Sequence, residues 1–450
     1  MVIDETVEPE APTGQRHLGG ARVLARNAVG SFALNLVNVA TTLGTMVLLA
    51  RIMGASEFGT YSFVVATATL LGIPSILGVD RLLTRDIAVH TSRAAFGLAR
   101  GLFRRAQQLV LAISLAIGLT AAAAAWIAAG GEVSASLVAF WLAAAALPFL
   151  AVGRIVQGGL MGLHHILLGQ SAEYVLRPTV LLALTVGYAI AGATLAAPTA
   201  VLFQGLSLGV ACAVSVAWLR ARTPKDVRDA APVYETRRWV LTAVSLGLLS
   251  GAAVLNSQIG VALLGAISGA ESAGLYAVAQ RGALLIAFPL SAVTTAIGPT
   301  AARLWASGER DRLQRLVTLS ARAVLLTAMP LVVGYVVLGR ALLTALFGPD
   351  FADADVALAI LALGQLVNVA TGTVATLLIM TGYQRKAALG ISVGALVNVA
   401  GAVTLIPALG TAGAALAAAG GIALSNIMLV IAAHRHLGIH STALGRIGLR

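Results

Sequence analysis

The chain has 450 residues, of which 58% are hydrophobic and only 11% charged, and its mean hydropathy is +0.91. That leaves too little polar surface to coat a soluble globule of this length, so the composition specifies an integral membrane protein that crosses the bilayer many times. The net charge of +12 does not point to nucleic acid, because the basic residues sit at the ends of apolar runs rather than in a soluble basic domain, where they suit anchoring beside anionic lipid.

Residues 1–27, with Asp4, Glu5, Glu8 and Glu10, read as a disordered cytoplasmic tail without the apolar core of a cleaved signal peptide. Runs of spanning length, ~20 residues each, follow at 28–50, 60–80, 107–129, 134–153, 174–192 and 196–219, which make an N-terminal lobe over 28–219. Between its second and third spans, the segment 81–106 places Arg81, Arg85, Arg93, Arg100, Arg104 and Arg105 among leucines, isoleucine and phenylalanines. This pattern predicts an amphipathic element lying in the membrane interface. Residues 220–238, with Pro224 and Pro232 among charges, form a cytoplasmic linker. Six further spans at 239–264, 272–297, 316–338, 354–380, 387–408 and 411–433 give a C-terminal lobe over 239–433, and 434–450 is a cytoplasmic tail.

The two lobes repeat one another. Gly54-Ala55-Ser56-Glu57-Phe58-Gly59-Thr60-Tyr61, followed by Pro74, reads against Gly269-Ala270-Glu271-Ser272-Ala273-Gly274-Leu275-Tyr276, followed by Pro289, at an offset of 215 without a gap. Six spans per half is an even number, so both halves enter from one side and the repeat axis lies along the membrane normal. The expected fold is therefore an all-α membrane protein of twelve transmembrane helices, in two pseudo-twofold-related six-helix lobes around a central cavity. Pro74 and Pro289 are its hinge candidates, with static kinks as the simpler alternative.

Basic residues orient the bundle, since short loops rich in Lys and Arg remain cytoplasmic. They gather in 81–106, at Arg154 beyond the fourth span, in 220–238, in 303–315, at 385–386 and in both tails, whereas only Arg51 and Arg340 fall in the alternate loops. Both termini are thus expected on the cytoplasmic side of a multi-pass inner (plasma) membrane protein.

Catalytic signatures find no support. Gly205-Leu206-Ser207-Leu208-Gly209 and Gly390-Ile391-Ser392-Val393-Gly394 satisfy a serine-hydrolase pattern, yet both lie inside apolar helices, where small residues serve packing. The two lysines, Lys225 and Lys386, are not in a phosphate-binding loop. One cysteine, Cys212, excludes an intrachain disulfide, and His164, His165, His434, His436 and His440 lack supporting carboxylates. The reading is a protein that is not an enzyme, with no cofactor and no metal.

Arginines inside the spans carry more information. Arg281 lies a third of the way into the eighth span and Arg177 just inside the fifth. A charge in hydrocarbon costs at least ~2.5–3.5 kcal/mol on insertion scales, so it faces a bundle interior or an aqueous cavity. With Asp80 and Glu173 at cytoplasmic helix ends, no acid inside the spans answers them. Unpaired cations in a cavity imply an anionic passenger, and a guanidinium fork suits phosphate oxygens. A structural ion pair or snorkelling to the headgroups is the plainer reading, and it weighs more for Arg177 than for Arg281.

Leu49-Ala50-Arg51-Ile52-Met53-Gly54-Ala55-Ser56-Glu57-Phe58-Gly59-Thr60-Tyr61 resembles the first-loop signature of the polysaccharide-transport flippases, within the multidrug/oligosaccharidyl-lipid/polysaccharide exporter superfamily. Gly78-Val79-Asp80-Arg81-Leu82-Leu83-Thr84-Arg85, Gly382-Tyr383-Gln384-Arg385-Lys386 and Gly410-Thr411-Ala412-Gly413 are also similar to that family. The resemblance implies a flippase that carries an undecaprenyl-pyrophosphate-linked oligosaccharide from the cytoplasmic to the outer leaflet by alternating access, for cell-surface polysaccharide. It implies a cavity role for Arg281 and Arg81, which match arginines of related lipid II flippases, and with Arg177, Arg51 and Arg85 these are the cationic residues expected to meet the pyrophosphate. Asn35 and Asn38 stand where related lipid II flippases carry arginines in the first helix. Partners would be the lipid-linked glycan, membrane lipids and polysaccharide polymerase or export proteins, with no nucleic acid. Coupling would be to membrane potential, H+ or Na+. The alternatives are a multidrug/cation antiporter of the same superfamily, which should bury acids in its spans, and an integral-membrane glycosyltransferase or polymerase, which should carry catalytic carboxylates or a large outer loop.

Overall fold

The computed structural model describes residues 15–192 and 194–445. The first fourteen residues of the expected tail lie outside these, and the rest of it is helical, because α1 begins at Gln15. In chain order the helices are α1 (Gln15–Ile76), α2 (Val79–Ser92), α3 (Phe96–Ala128), α4 (Ala135–Gly162), α5 (Ile166–Ser171), a π-helical turn (Ala172–Leu176), α6 (Arg177–Ile190) and α7 (Ala197–Arg222). After the short α8 (Lys225–Asp229) come α9 (Thr236–Ile267), α10 (Ala270–Ala306), α11 (Arg310–Phe347), a 3-10 turn (Pro349–Ala354), α12 (Asp355–Ala370), α13 (Val374–Met380) and α14 (Gln384–Leu437).

Ten stretches among the described residues are long and apolar enough to cross a membrane. Two of them, in α1 and α14, are too long for one crossing, since a bilayer core of ~30 Å needs ~20 helical residues. Each is broken by a glycine in a non-helical conformation, Gly54 (φ 73°, ψ 176°) and Gly410 (φ 54°, ψ −128°). Counting both halves gives the twelve spans that the hydropathy predicts. The expected interfacial element at 81–106 resolves into two pieces. α2 is amphipathic, with Leu82, Leu83, Asp86, Ile87 and His90 buried, whereas Phe96 already starts the third span.

The repeat survives in the helices. α10 continues unbroken to Ala306, while its counterpart α1 ends at Ile76 and turns through Leu77 (φ 45°) and Gly78 (φ 75°) into α2. Pro74 sits three residues before that turn and Pro289 in the middle of α10, so the bend in the first lobe comes from the left-handed pair Leu77–Gly78.

The lobes meet through α1 against α9 and α10, and their backbones touch at two levels. At the level far from the termini, a Cβ on Gly59 would collide with the Ala270 carbonyl oxygen, and one on Gly274 would lie 2.7 Å from that of Ala55. Ala55 and Ala270, like Gly59 and Gly274, are repeat equivalents, so the pseudo-twofold axis runs through this crossing. Toward the termini, Gly78 presses on Gly247 and Ala243 in the same way. Lipid tails are as apolar as the side chains, so membrane helices associate through such small-residue contacts and a few buried polar bonds. In the second lobe these bonds include Asn398 Nδ2 to Asn256 Oδ1 at 2.6 Å and Thr371 Oγ1 to Asn426 Oδ1 at 2.8 Å.

Two segments outside the spans are tied down. Residues 230–234 lie along α3, where Arg100 Nη1 donates to Ala230 O (2.5 Å), Val233 N donates to Gly97 O (2.9 Å) and the Arg105 guanidinium sits 4.9 Å from the Tyr234 ring centre. After α14, Arg322 Nε donates to Ala443 O (2.8 Å), and Ala443 N donates to Ala370 O (2.9 Å), a carbonyl freed where α12 breaks before α13.

Candidate functional site

Between the two backbone crossings lies a cavity of about 310 Å³. The N-terminal lobe supplies most of its wall, from both halves of α1 and from α4, α6 and α7, and the second lobe closes it with Gln258 and Val261 of α9 and Ala277, Gln280 and Arg281 of α10. Much of the lining is apolar, from Met46 and Phe58 to Leu181. Four charged residues converge in it: Arg154, Glu173, Arg177 and Arg281.

Each reaches the cavity for a local reason. Arg281 lies three turns into α10, just past the glycine-to-alanine crossing that brings α10 against α1. Its side chain is exposed, yet it belongs to the cavity wall within a packed bundle, so that exposure is to the cavity. Glu173 and Arg177 owe their position to Pro178. Proline has no N–H to give to the carbonyl four residues back, Tyr174 O. The ladder widens there into the π turn Ala172–Leu176, in which Arg177 N bonds back to Ala172 O. Across this turn Arg177 Nη1 donates to Glu173 Oε1 at 2.7 Å. Beside these charges, Tyr61 Oη donates to Gln204 Oε1 at 3.3 Å.

Among the described residues neither Arg154 nor Arg281 makes an ion pair. Three arginines against one glutamate leave the cavity with an excess of two positive charges. Planar guanidinium groups, amide side chains and a phenol favour an anion with several acceptor oxygens over a cation.

Arg281 and Arg177 both line the cavity, and the ion pair weighed as the plainer reading of Arg177 is present. Arg177 is paired, because the π turn brings Glu173 onto it. Arg154, counted only as a charge beyond the fourth span, lies well inside α4, which runs on to Gly162. The hydrophobic run ended sooner than the helix did. The remaining candidates do not line the cavity. Arg51 is exposed and caps the far end of α11, donating from Nε to Leu346 O at 2.8 Å and from Nη2 to Ala345 O. Arg81 and Arg85 occupy the exposed face of α2, and Arg85 Nε meets Asp86 Oδ1 at 2.7 Å.

The two lobes and their shared central chamber define a multi-pass membrane protein. The chain belongs to the polysaccharide biosynthesis protein family, whose model matches residues 24–305. Its fold is that of transporters of the MOP superfamily. An inward-facing multidrug resistance MATE family transporter of that superfamily superposes with a TM-score of 0.72 at 15% identity, over 91% of this chain and 98% of the other. The lipid II flippase MurJ in an inward closed conformation gives 0.60 at 12% identity, over 91% and 87%. A MOP superfamily transporter from Pyrococcus furiosus, described as having a binding pocket of reverse polarity, gives 0.56 at 15% identity, over 91% and 93%. No curated protein matches the chain.

Proposed function

We propose that this protein is a flippase that carries an undecaprenyl-pyrophosphate-linked oligosaccharide from the cytoplasmic to the outer leaflet of the plasma membrane, for cell-surface polysaccharide. The observation that carries this reading is the charge of the cavity, in which Arg154, Arg177 and Arg281 face a single glutamate. A diphosphate offers the charge and the oxygens these groups require. Membership of the polysaccharide biosynthesis family fits a glycan-bearing lipid as the cargo. The distribution of basic residues puts both termini and α2 on the cytoplasmic side.

In this reading the chain holds the diphosphate and forms or breaks no covalent bond. The cavity is at the small end of the ~300–1,000 Å³ typical of ligand sites, enough for a head group and too small for an oligosaccharide. The lobes must therefore part at the Gly78–Gly247 end to load and at the Gly59–Gly274 end to release. Arg281, on the second lobe, faces Arg177 and Arg154, on the first, so an anion held between them bridges the lobes. Negative charge moves outward down an inside-negative potential.

The test is leaflet accessibility of a lipid-pyrophosphate-linked oligosaccharide in proteoliposomes, read with a membrane-impermeant glycan-modifying probe. Wild-type protein is expected to speed accessibility, and Arg281→Ala to reduce it to the level of empty liposomes while inserting and melting normally. Normal flipping by a well-folded Arg281→Ala protein overturns the assignment. Proton-driven exchange of a cationic dye, without flipping of any glycan lipid, would favour the antiporter instead.

A further inference from the structure

Glu173 stands out as the lone acid among three arginines, held at 2.7 Å from one of them. Its carboxylate and the Arg177 guanidinium remain partly open, with side-chain exposures of 20% and 28%. The other ion pairs among the described residues lie outside the cavity. This one lines the chamber, on a π turn, and such turns occur often at functional sites.

We infer that Glu173 is a built-in counter-anion, which occupies Arg177 when the cavity is empty and is displaced from it by the diphosphate of the cargo. The inference rests on reading the cavity as a diphosphate site. Three like charges in a chamber of low dielectric repel one another, and a carboxylate among them lowers that cost in the empty state. Arg177 uses one donor atom on Glu173, and a diphosphate presents more charge and more oxygens than one carboxylate. Exchange leaves the guanidinium satisfied before and after binding. When the cargo departs, Glu173 closes back on Arg177 and competes against its return. The residue thereby keeps the site weak enough to release what it carries, the condition that any conduction pathway must meet.

The experiment measures binding of inorganic pyrophosphate to the purified full-length protein, together with the flipping rate above. Glu173→Gln keeps the shape and removes the charge. It is expected to bind pyrophosphate roughly tenfold more tightly, equivalent to ~1.4 kcal/mol, and to flip more slowly because release lags. Mere structural damage would weaken binding instead. Glu173→Asp, one methylene shorter, loosens the pair and gives a smaller tightening, and it serves as the test should the glutamine variant not fold. In an Arg177→Gln background the Glu173→Gln change should lose most of its effect, since the two act as a pair. Unchanged or weaker binding by a folded Glu173→Gln protein, in a series where Arg281→Ala does weaken it, overturns the counter-anion and leaves the diphosphate site standing. Wild-type protein that binds no pyrophosphate overturns both.

Discussion

Arg281, from its depth in a span, and Arg51, from the first-loop motif, are both expected to meet the cargo, and the structure puts them to different uses. Arg281 faces the chamber, whereas Arg51 reaches the last carbonyls of α11, where the negative end of the helix dipole favours a cation. Charge and depth were legible in the sequence. The direction of each side chain was not, because it depends on the rotation of the helix and on a neighbour about 295 residues away in the chain. Arg51→Ala is accordingly expected to lower stability by about 1 kcal/mol, seen as a lower melting temperature in detergent, and to leave flipping near the wild-type rate. Loss of flipping without loss of stability would move Arg51 into the transport pathway.

Among the elements, long apolar runs and alternating loop charge sufficed to find twelve spans, because the bilayer imposes both length and sign. The breaks at Gly54 and Gly410 fall between spans already separated by glycine-rich sequence. Less legible were the ends. α4 outlasts its apolar run and so carries Arg154 inward, and the joint between α2 and α3 lies in a stretch of uniform amphipathic composition. The π turn at Ala172–Leu176 could have been suspected from Pro178 alone. The Gly59–Gly274 crossing was visible only as part of a repeat. Its closeness implies that the lobes seal at that end only because neither position has a side chain. In a Cys212→Ala background, Gly59→Val should prop the crossing apart, so that an impermeant thiol reagent applied from outside labels Ser62→Cys, which the parent glycine shields. Equal labelling in both proteins would show that the crossing is not the seal.

The molecule as a whole is two copies of one six-helix plan, and it has diverged where the copies face the chamber. The repeat partner of Arg281 is Ala66. The first lobe therefore contributes most of the wall and the second a single cation, which makes the chamber polar in one sense only. If the cargo is a diphosphate, its passage carries net negative charge outward, favoured by ~2.3 kcal/mol per charge for each 100 mV. A potassium diffusion potential imposed on proteoliposomes, negative on the side of loading, should accelerate flipping, and the reverse potential should slow it. A rate indifferent to both would mean that the bound cargo moves with compensating cations.

The segment 230–234, fastened to α3 by Gly97, Arg100 and Arg105, belongs physically to the first lobe although it precedes the second in the chain. Only Glu235 separates it from α9. Two polypeptides encoded separately, with the division after Glu235, would keep the bonds of this segment to α3 within the first of them. Co-expressed, they should reassemble into a working pair, whereas a division at Ala230 would strip the first fragment of the piece that covers α3.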